Sequence, residues 1–271
     1  MTPGIYYDIP FEDYLKIEAL NNGTLVSFLK TPAHSQVIKE PTPAMQFGTD
    51  FHTFLLEPNR YKRDYIEIPE GMKKTGKKWD EFQADNPSKY YISHNDNQTI
   101  LRMMESLNSG YHEIAWNLIK RATHREVTII WDNVKFGVRC KGRIDLLTDP
   151  SLGILGDIKT TQNADPEQWI KTGINAGHPP HLQPSHYLTG INTVLREEVY
   201  QEFIWLLFET KPPYGISVMK APEDMLYLAE EQIKRIIPKY IECKRHNIYQ
   251  DYLDKIVDAK IPKWYYQLID I

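Results

Sequence analysis

Apolar residues in the N-terminal 121 positions recur at helical spacing. The clearest set falls at i, i+4, i+7 and i+8 and comprises Phe47, Phe51, Phe54 and Leu55. This set predicts an amphipathic helix that ends before Pro58. A shorter helix is predicted to begin at the capping residues of the sequence NNGT and to stop near Pro32. Residues from about 95 to 121 also have helical character, with a break at the sequence NSGYH.

The period changes to two at Glu126. The sequence EVTIIW predicts a strand, Asp132 and Asn133 a tight turn, and VKFGVRCKGRIDLL a second, alternating strand. One side of this second strand is apolar: Val134, Phe136, Val138, Cys140, Ile144 and Leu146. The other side is polar: Lys135, Arg139, Lys141, Arg143 and Asp145. The sequence GILGDIKTT predicts the next strand, in which Asp157 and Lys159 project together. The two strands can therefore bring both carboxylates and the lysine to one place.

Helices and strands continue after this pair of strands. Asp165 is a candidate N-cap, and Pro166 suits the first turn of the helix that follows. The sequence HLQPSHYLTGINTVL predicts another helix, with Gln183 and Tyr187 on one face. A buried strand is predicted for VYQEFIWLLFET, with YGISVMKA as its neighbour, and a long helix from about Pro222. We therefore predict an α/β fold with a central mixed β-sheet flanked by helices.

Composition limits the class of protein. The chain has 271 residues, 41% of them hydrophobic and 12% aromatic, which is enough for a sizeable core. We expect a single domain over residues 1–271, mainly helical over 1–121 and with the sheet and C-terminal helices over 122–271. The sequence lacks a basic start with an apolar run and any apolar stretch long enough to cross a bilayer, which predicts a cytoplasmic protein without a membrane partner. Cys140 and Cys243 form no CxxC pair, which disfavours a disulfide framework or a zinc ribbon and leaves Cys140 as a core residue.

Charge restricts how the protein can contact nucleic acid. The 32 Lys plus Arg residues against 36 Asp plus Glu give a formal charge of −4, the wrong sign for non-specific coating of nucleic acid. Any contact with DNA should therefore be local. The most basic stretch, MKKTGKKWDEF, carries four lysines: Lys73, Lys74, Lys77 and Lys78. Its composition is typical of a mobile loop that contacts phosphate, and equally of a solvated surface loop.

Asp145, Asp157 and Lys159 carry the candidate chemistry. Ionisable groups beside a sheet core have a desolvation cost, which solvent, mutual pairing or a metal ion can offset. Mg²⁺ prefers oxygen ligands and is commonly held by one or two carboxylates, water and substrate phosphate, with Mn²⁺ as a substitute. Lys159 could orient or deprotonate an attacking water or stabilise developing charge. His178 and His181 lie beside prolines typical of a loop and are not favoured as ligands. The set suits phosphodiester hydrolysis.

The order of these motifs resembles the PD-(D/E)xK nuclease superfamily. Asp145 followed by the sequence GDIK, with Asp157 and Lys159, is similar to the superfamily's core motif, with Gly156 in place of its proline. The sequence GTDFH resembles the G-x-x-x-H motif of RecB-type nuclease domains, and QPSHY resembles their Q-x-x-x-Y motif. The four blocks occur in the order that the superfamily has.

A closer likeness is to the RecE-type exonucleases, also called exodeoxyribonuclease VIII. It rests on LVSFLKTPAH, QFGTDFHTFLLEP, KTGKKWDEF, KGRIDLL and GDIKTT, and so covers most of the chain. This resemblance implies an Mg²⁺-dependent exonuclease that resects one strand of linear double-stranded DNA, 5′ to 3′, for a single-strand annealing protein. It also implies a ring-shaped homo-oligomer around the DNA, in the cytoplasm of a bacterial or phage-infected cell.

The resemblance also implies roles for single residues. The implied metal ligands are His52, Asp145, Asp157 and the carbonyl of Ile158. Lys159 matches the catalytic lysine, and Gln183 and Tyr187 match the residues that position DNA or metal-bound groups near the scissile phosphate. Glu126 is a candidate for a second-metal or water-mediated catalytic role, and equally a solvated edge residue.

Each candidate also has a purely structural interpretation. His52 on a helix could be a packed or surface histidine. Asp145 with Arg143, and Asp157 with Lys159, could be ion pairs only. These interpretations do not account for the accompanying G-x-x-x-H and Q-x-x-x-Y blocks, so we favour the convergent metal site.

Two other functions remain compatible with the sequence. A site-specific or structure-specific endonuclease on the same fold would cut closed circular DNA, which an end-dependent exonuclease leaves intact. A DNA-end-binding scaffold without activity would cut neither form. The complete set of His52, Asp145, Asp157 and Lys159 argues against the scaffold.

Overall fold

The computed structural model describes residues 1–38, 40–252 and 254–260. Within them the helices are α1 (Phe11–Lys16), α2 (Asn22–Phe28), α3 (Pro43–Leu56), α4 (Pro58–Asp64), α5 (Lys77–Asp85), α6 (His94–Asn108), α7 (Glu113–Arg121), α8 (Pro166–Asn175), α9 (Leu182–Leu195) and α10 (Glu223–His246). The strands are β1 (Gly4–Tyr6), β2 (Tyr65–Glu67), β3 (Tyr90–Ile92), β4 (Ala122–Asn133), β5 (Val138–Thr148), β6 (Ile154–Thr161), β7 (Glu202–Glu209) and β8 (Ile216–Lys220). A short 3₁₀ helix spans Pro32–Gln36.

The main sheet has six strands in the order β1-β4-β5-β6-β7-β8. Neighbouring strands are antiparallel except β6 and β7, which run parallel. Parallel neighbours need a long crossover connection, and α8 and α9 supply it here. Strands β2 and β3 form a separate two-stranded parallel sheet. The predicted α/β fold with a central mixed sheet flanked by helices is confirmed.

Helices cover both faces of the main sheet and enclose two cores. Helices α2, α9 and α10 pack over one face, where Trp131 and Trp205 are buried. Helices α3, α6 and α7 pack over the other face, where Phe51, Ile158 and Phe208 are fully buried. Strand β7 contributes to both cores, and this double burial explains its continuous apolar run. Among the described helices, none combines the length and the apolar character needed to span a bilayer.

The sequence periods located most of the larger elements. Helix α3 ends at Leu56, before Pro58 as predicted, and the chain between α6 and α7 coincides with the predicted break. The predicted cap at Asp165 is confirmed, since its side chain accepts a hydrogen bond from the backbone of Gln168 at 2.8 Å. Cys140 is only 1% exposed, as expected for a core residue.

The predicted position of the β4–β5 turn is wrong. Asp132 stays in β4 and pairs with Arg139 of β5, and the turn follows at residues 134–137. Gly137 has a φ of 63°, a left-handed conformation that glycine adopts without steric cost, and this fixes the turn there. Val134, expected on the apolar side of a strand, is therefore 87% exposed.

Several short elements had no counterpart in the sequence analysis. Strands β1, β2 and β3 have three residues each, too few to show a period. Strand β1 exists because it pairs with β4, more than a hundred residues later. The basic stretch is also not entirely a loop, because Lys77 and Lys78 form the first turn of α5. Their side chains do remain exposed, as predicted.

Candidate active site

Strands β5 and β6 separate after two residue pairs. A cavity of about 310 Å³ lies beside the separation. Residues singled out from the sequence line this cavity: His52, Glu126, Asp145, Asp157, Lys159, Gln183 and Tyr187. We call the first five of them the charged cluster. The fold therefore collects in one cavity the candidates that the sequence distributes over α3, β4, β5, β6 and α9.

The strand separation changes the partners of the Ile158 backbone. Its N–H donates a hydrogen bond to Asp145 Oδ2 at 2.8 Å. Its carbonyl lies 2.9 Å from His52 Nε2, which donates to it. Buried backbone groups require hydrogen-bond partners. Asp145 and His52 therefore supply the Ile158 backbone with partners that the interrupted β-ladder does not, and these two hydrogen bonds hold both side chains in position. The Ile158 carbonyl keeps a second lone pair, so its role as a metal ligand stays a prediction.

His52 points its other ring nitrogen at two carboxylates. His52 Nδ1 lies 3.5 Å from Glu126 Oε1 and 3.6 Å from Asp145 Oδ2. Gly48, one turn earlier on α3, allows the helix to approach β6, because a Cβ there would lie 3.3 Å from Thr160 Oγ1. The glycine and the histidine of the G-x-x-x-H motif thus act together: the glycine permits the close packing that carries the imidazole to the carboxylates.

Glu126 is part of the charged cluster and is not a solvated edge residue. Its side chain is 14% exposed and accepts a hydrogen bond from Arg143 Nε at 2.5 Å. Arg143 therefore pairs with Glu126, and the suggested ion pair between Arg143 and Asp145 is wrong. The φ of Glu126 is 53°, a left-handed conformation that costs a residue with a Cβ about 1 kcal/mol or more. This local strain accompanies a strand residue whose carboxylate faces the cavity.

Asp157 is held by neighbours on both sides. Gln183 Nε2 donates to Asp157 Oδ1 at 2.6 Å, across from α9. Lys159 Nζ forms an ion pair with Asp157 Oδ2 at 2.5 Å, and this oxygen accepts no hydrogen bond from the described residues. Asp157 is 2% exposed, so its carboxylate depends on Lys159 and Gln183 to offset the cost of burial. A metal ion in the cavity could share this oxygen with Lys159 or replace the lysine as its cationic partner.

Tyr187 forms a wall of the cavity. It lies one turn after Gln183 on α9 and is 8% exposed. Its ring packs against β5 at Gly142, where a Cβ would approach a ring carbon to 2.9 Å. Burial raises the pKa of the Tyr187 hydroxyl well above its usual value. The residue is thus a neutral donor or acceptor fixed in place by packing.

The carboxyl groups of the cluster differ in protonation. Burial, and then the nearby charge of Asp157, raise the pKa of Asp145 to about 7. Burial also acts to raise the pKa of Glu126, but the contacts with His52 and Arg143 outweigh it and lower that pKa to about 2. Carboxylates placed this close together favour either a shared proton or a shared cation.

The two basic groups of the cluster stay charged. Burial opposes protonation of His52, but Asp145 and Glu126 outweigh it and raise its pKa to about 9. Burial opposes protonation of Lys159 as well, and the charges of Asp157 and Asp145 again reverse the effect, so that its pKa is raised. Protons thus balance the acidic charge when no other cation is bound.

Comparison with known proteins identifies the fold family. The profile of a PDDEXK-like domain of unknown function, DUF3799, matches residues 24–256. The chain belongs to this PDDEXK-like family. The match covers most of the sequence and all the residues of the charged cluster. The predicted membership of the PD-(D/E)xK superfamily is confirmed. No curated protein matches the sequence significantly.

One solved structure shares the fold of this chain over nearly its whole length. A provisionally assigned exonuclease from Eubacterium rectale aligns over 96% of this chain and 98% of its own, with a TM-score of 0.63 and 12% identity. At that identity the likeness shows the fold. SSO0001 aligns with a TM-score of 0.27 and 17% identity over 84% of this chain and 88% of its own. LHK-Exo in complex with dAMP aligns with a TM-score of 0.26 and 16% identity over 64% of this chain and 87% of its own. These two scores are too low to support a structural argument.

The charged cluster of this PDDEXK-like domain fits a divalent metal ion. Ligand atoms from His52, Glu126 and Asp145 all lie within 4.8 Å of one another. Asp157 is not one of these three residues; it contributes to the same cavity a buried oxygen that is paired with Lys159. Carboxylate oxygens suit Mg²⁺ and Mn²⁺, and one imidazole is compatible with Mn²⁺ and other transition metals. These residues could hold a divalent metal ion.

Metal binding by the cluster is expected to strengthen as pH rises. A metal ion must displace the protons that His52 and Asp145 carry, with pKa values of about 9 and 7 before the metal binds. The apparent affinity for Mg²⁺ should therefore be at least about tenfold lower at pH 6 than at pH 8. Calorimetry in buffers of different ionisation enthalpy measures both the affinity and the protons released. Equal affinities at the two pH values would contradict these protonation states.

Other predicted residues lie outside the cavity. Lys73, Lys74, Lys77 and Lys78 are exposed and do not line it. Lys77 lies 3.7 Å from Glu81 in α5. His178 and His181 do not join the charged cluster, and His181 Nε2 instead lies 2.6 Å from Gln232 Oε1. The structure thus leaves the four lysines accessible to DNA away from the cluster.

The sequence analysis missed part of the cavity wall. Phe11 and Tyr14 of α1, and Glu57 and Arg60 at the start of α4, line the cavity together with the predicted residues. Phe11 and Tyr14 stand three positions apart after Pro10, a spacing from which a short helix with an aromatic face could have been predicted. Nothing in the sequence indicates that this helix packs beside Asp145.

Proposed function

We propose that this protein is a metal-dependent exodeoxyribonuclease that resects linear double-stranded DNA in the 5′ to 3′ direction. The observation that carries the proposal is the convergence of His52, Glu126, Asp145, Asp157 and Lys159 in one cavity of a PDDEXK-like fold. The exonuclease description of the Eubacterium rectale structure supports the same activity class. The choice of duplex ends and the direction of digestion follow from the resemblance to RecE-type enzymes.

The residues of the cavity divide the proposed chemistry among them. His52, Glu126, Asp145 and Asp157 would hold Mg²⁺ or Mn²⁺, which supplies polarisation of a phosphoryl oxygen and a more acidic water when bound. Gln183 fixes Asp157 through their hydrogen bond and so acts through that carboxylate. These residues bind the metal ion or support one of its ligands. Proton transfer and stabilisation of charge on the phosphate require another group.

Lys159 is the group proposed to act on the developing charge. Its raised pKa keeps the ammonium form at neutral pH before a metal binds. An ammonium group donates hydrogen bonds and stabilises negative charge, whereas a general base must be unprotonated. We therefore assign Lys159 to orienting the attacking water or stabilising charge on the phosphate, in preference to deprotonating the water.

An adjoining cavity offers a path for the phosphate backbone. It has a volume of about 920 Å³ and shares Glu57, Arg60, Glu126 and Arg143 with the cavity of the charged cluster. Its lining carries four arginines and four carboxylates: Arg60, Arg63, Arg125, Arg143, Asp8, Glu57, Asp64 and Glu126. Arg60 pairs with Glu57, Arg63 with Asp64 and Arg143 with Glu126. Three of these arginines would contact a phosphate only by exchanging a carboxylate partner for it, so we propose a local contact with DNA at this cavity and no broad basic surface.

The first experiment compares linear duplex DNA with covalently closed plasmid in the presence of Mg²⁺. An end-dependent exonuclease degrades only the linear form. Cutting of the closed plasmid would instead show an endonuclease, and no degradation of either DNA would show a binding scaffold. Linear DNA labelled at the 5′ or the 3′ end then reports the direction of digestion, and release of the 5′ label first is expected.

The four exposed lysines provide a prediction about DNA binding. Replacing Lys73, Lys74, Lys77 and Lys78 with glutamine should reduce the slope of log K against log salt by about 0.9 for each phosphate that these lysines neutralise in the wild type. The slope is measured by fluorescence anisotropy with duplex DNA over a range of KCl concentrations.

A matched control removes the same charge elsewhere. Four lysines of β8 and α10 are changed to glutamine: Lys220, Lys234, Lys239 and Lys244. This control variant should keep the wild-type slope. If both variants change the slope equally, the effect comes from net charge and the basic stretch does not contact phosphate.

The proposed function also includes an oligomeric assembly and a partner protein. We propose that residues 1–271 act as one nuclease domain, that copies of it form a ring around DNA, and that a single-strand annealing protein receives the exposed strand. Support comes from the RecE-type resemblance and from strand β1, which ties the N-terminal part to β4 of the main sheet. Light scattering coupled to chromatography measures the number of copies, and a monomer in solution would contradict the ring.

A further inference from the structure

Helix α1 forms an aromatic wall beside the charged cluster. Phe11 and Tyr14 line the same cavity as Asp145, Asp157 and Lys159. Tyr14 is 7% exposed, whereas Phe11 is 40% exposed. The two rings are nearly parallel, with an interplanar angle of 19° and centroids 6.1 Å apart. The buried tyrosine thus supports a phenylalanine that has substantial open surface next to the reaction centre.

A buried lysine anchors this wall. Lys141 is 2% exposed and donates to the carbonyls of Tyr14 at 2.8 Å, Leu15 at 3.3 Å and Ile17 at 2.8 Å. Its ammonium group also lies 4.5 Å from the centroid of the Tyr14 ring. A buried ammonium is costly unless its donors are satisfied, and the carbonyls at the C-terminal end of α1 satisfy all three. The helix is therefore fixed to β5.

A second basic side chain of β5 ties the start of the same segment. Arg143 Nη1 donates to the carbonyl of Ile9 at 2.8 Å. Its guanidinium group lies 5.9 Å from the Phe11 centroid and 6.0 Å from that of Tyr14. Because Lys141, Arg143 and Asp145 alternate along one strand, the strand that carries an acidic residue of the cluster also sets the position of the aromatic wall.

We propose that Phe11 stacks on a nucleobase of the DNA strand that enters the cavity, an inference that rests on the proposed nuclease function. A phosphate held beside Lys159 brings the attached nucleoside to the cavity wall. Each base has a flat π-face, so stacking on an aromatic ring binds single-stranded DNA without sequence preference. Stacking hides both faces of a base inside a duplex, so the contact would favour a base at a strand end, and an unpaired base above all.

The test measures binding without turnover. In a Lys159→Ala background with Mg²⁺, two hairpin duplexes are compared by fluorescence anisotropy: one with a 5′ overhang of four thymidines, one with four abasic residues in their place. The backbone charge is the same in both, so the ratio of their Kd values reports contacts to bases. We expect preference for the thymidine overhang, and Phe11→Ala should lower the affinity for it by about 5- to 100-fold.

Two further variants on α1 complete the design. Phe11→Trp should retain the preference for thymidine, because tryptophan also offers a stacking surface. Leu15→Ala should leave it unchanged, because Leu15 is 58% exposed and does not line the cavity. Circular dichroism of each variant verifies that α1 and the sheet remain folded.

The outcomes separate this inference from the nuclease proposal. If Phe11→Ala lowers the affinity for both overhangs equally, or for neither, the stacking role is refuted. The nuclease proposal is unaffected in that case, provided that the wild type cleaves DNA. A wild type that binds neither hairpin and cleaves no DNA would overturn both. A decrease confined to the thymidine overhang and to Phe11→Ala supports the inference.

Discussion

Replacement of Lys159 by alanine is expected to reduce DNA hydrolysis by at least about a hundredfold, the range seen when one charge-stabilising or proton-transferring group is removed. Lys159 Nζ contacts Asp157 at 2.5 Å and lines the cavity of the charged cluster. Its side chain is 34% exposed, so its removal leaves no large void in either core. Catalysis should therefore fall far more than stability.

The measurement combines initial rates on linear duplex DNA with binding and thermal melting in Mg²⁺. DNA binding by Lys159→Ala should stay within a few-fold of the wild type, since only one partly exposed charge is removed. Lys220→Ala is the matched control, because Lys220 also lies on a strand and pairs with a carboxylate, Glu202, at 2.5 Å. This control should keep the wild-type rate. A collapse of the melting temperature that accounts for the decrease in rate would assign Lys159 a structural role.

Replacement of Asp157 by asparagine is expected to weaken Mg²⁺ binding by at least about tenfold and to abolish cleavage. Asp157 supplies a buried oxygen that accepts no hydrogen bond from the described residues. An amide keeps the shape of the side chain but removes its charge. Both neighbours of Asp157, Gln183 and Lys159, are donors, so the NH₂ group of an asparagine would face one of them donor to donor. Both the charge and the geometry of the site are therefore disturbed.

Two readouts distinguish removal of a ligand from disruption of the fold. Calorimetry measures the affinity for Mg²⁺ directly. Thermal melting should show that Mg²⁺ raises the Tm of the wild type, because a ligand bound only by the folded state stabilises it, and that this rise is reduced in Asp157→Asn. Asp132→Asn is the control, since Asp132 pairs with Arg139 on the β4–β5 hairpin. Unchanged Mg²⁺ affinity in Asp157→Asn would refute its assignment as a ligand.

Much of the fold could be predicted because a period of hydrophobic residues is a local property. The 3.6-residue pattern of Phe47, Phe51 and Leu55 marks α3 without knowledge of its partners. The β4–β5 turn was misplaced because both Asp132–Asn133 and the segment ending at Gly137 carry turn residues. The choice between them depends on pairing across the hairpin, which a single strand does not contain.

The identity of most candidate site residues could be predicted from residue type and motif order. The sequence nominated His52, Asp145, Asp157 and Lys159 through motif order, and the structure places them in one cavity. The partner of Arg143 was not predictable, because an arginine on the polar side of a strand can reach several carboxylates. In the folded protein Arg143 pairs with Glu126. Glu126 has a left-handed backbone conformation, and its carboxylate faces the cavity.

Residue order alone was sufficient for the α/β class, most larger elements and the identity of the candidate ligands, since side-chain chemistry and hydrophobic period are local properties of the chain. The folded arrangement was needed to establish that β5 and β6 separate beside Asp145, that Gln183 holds Asp157, and that α1 contributes an aromatic wall. These features depend on contacts between residues far apart in the chain. Such contacts form only when packing and hydrogen bonding of the whole sheet are satisfied together, and no local pattern records them.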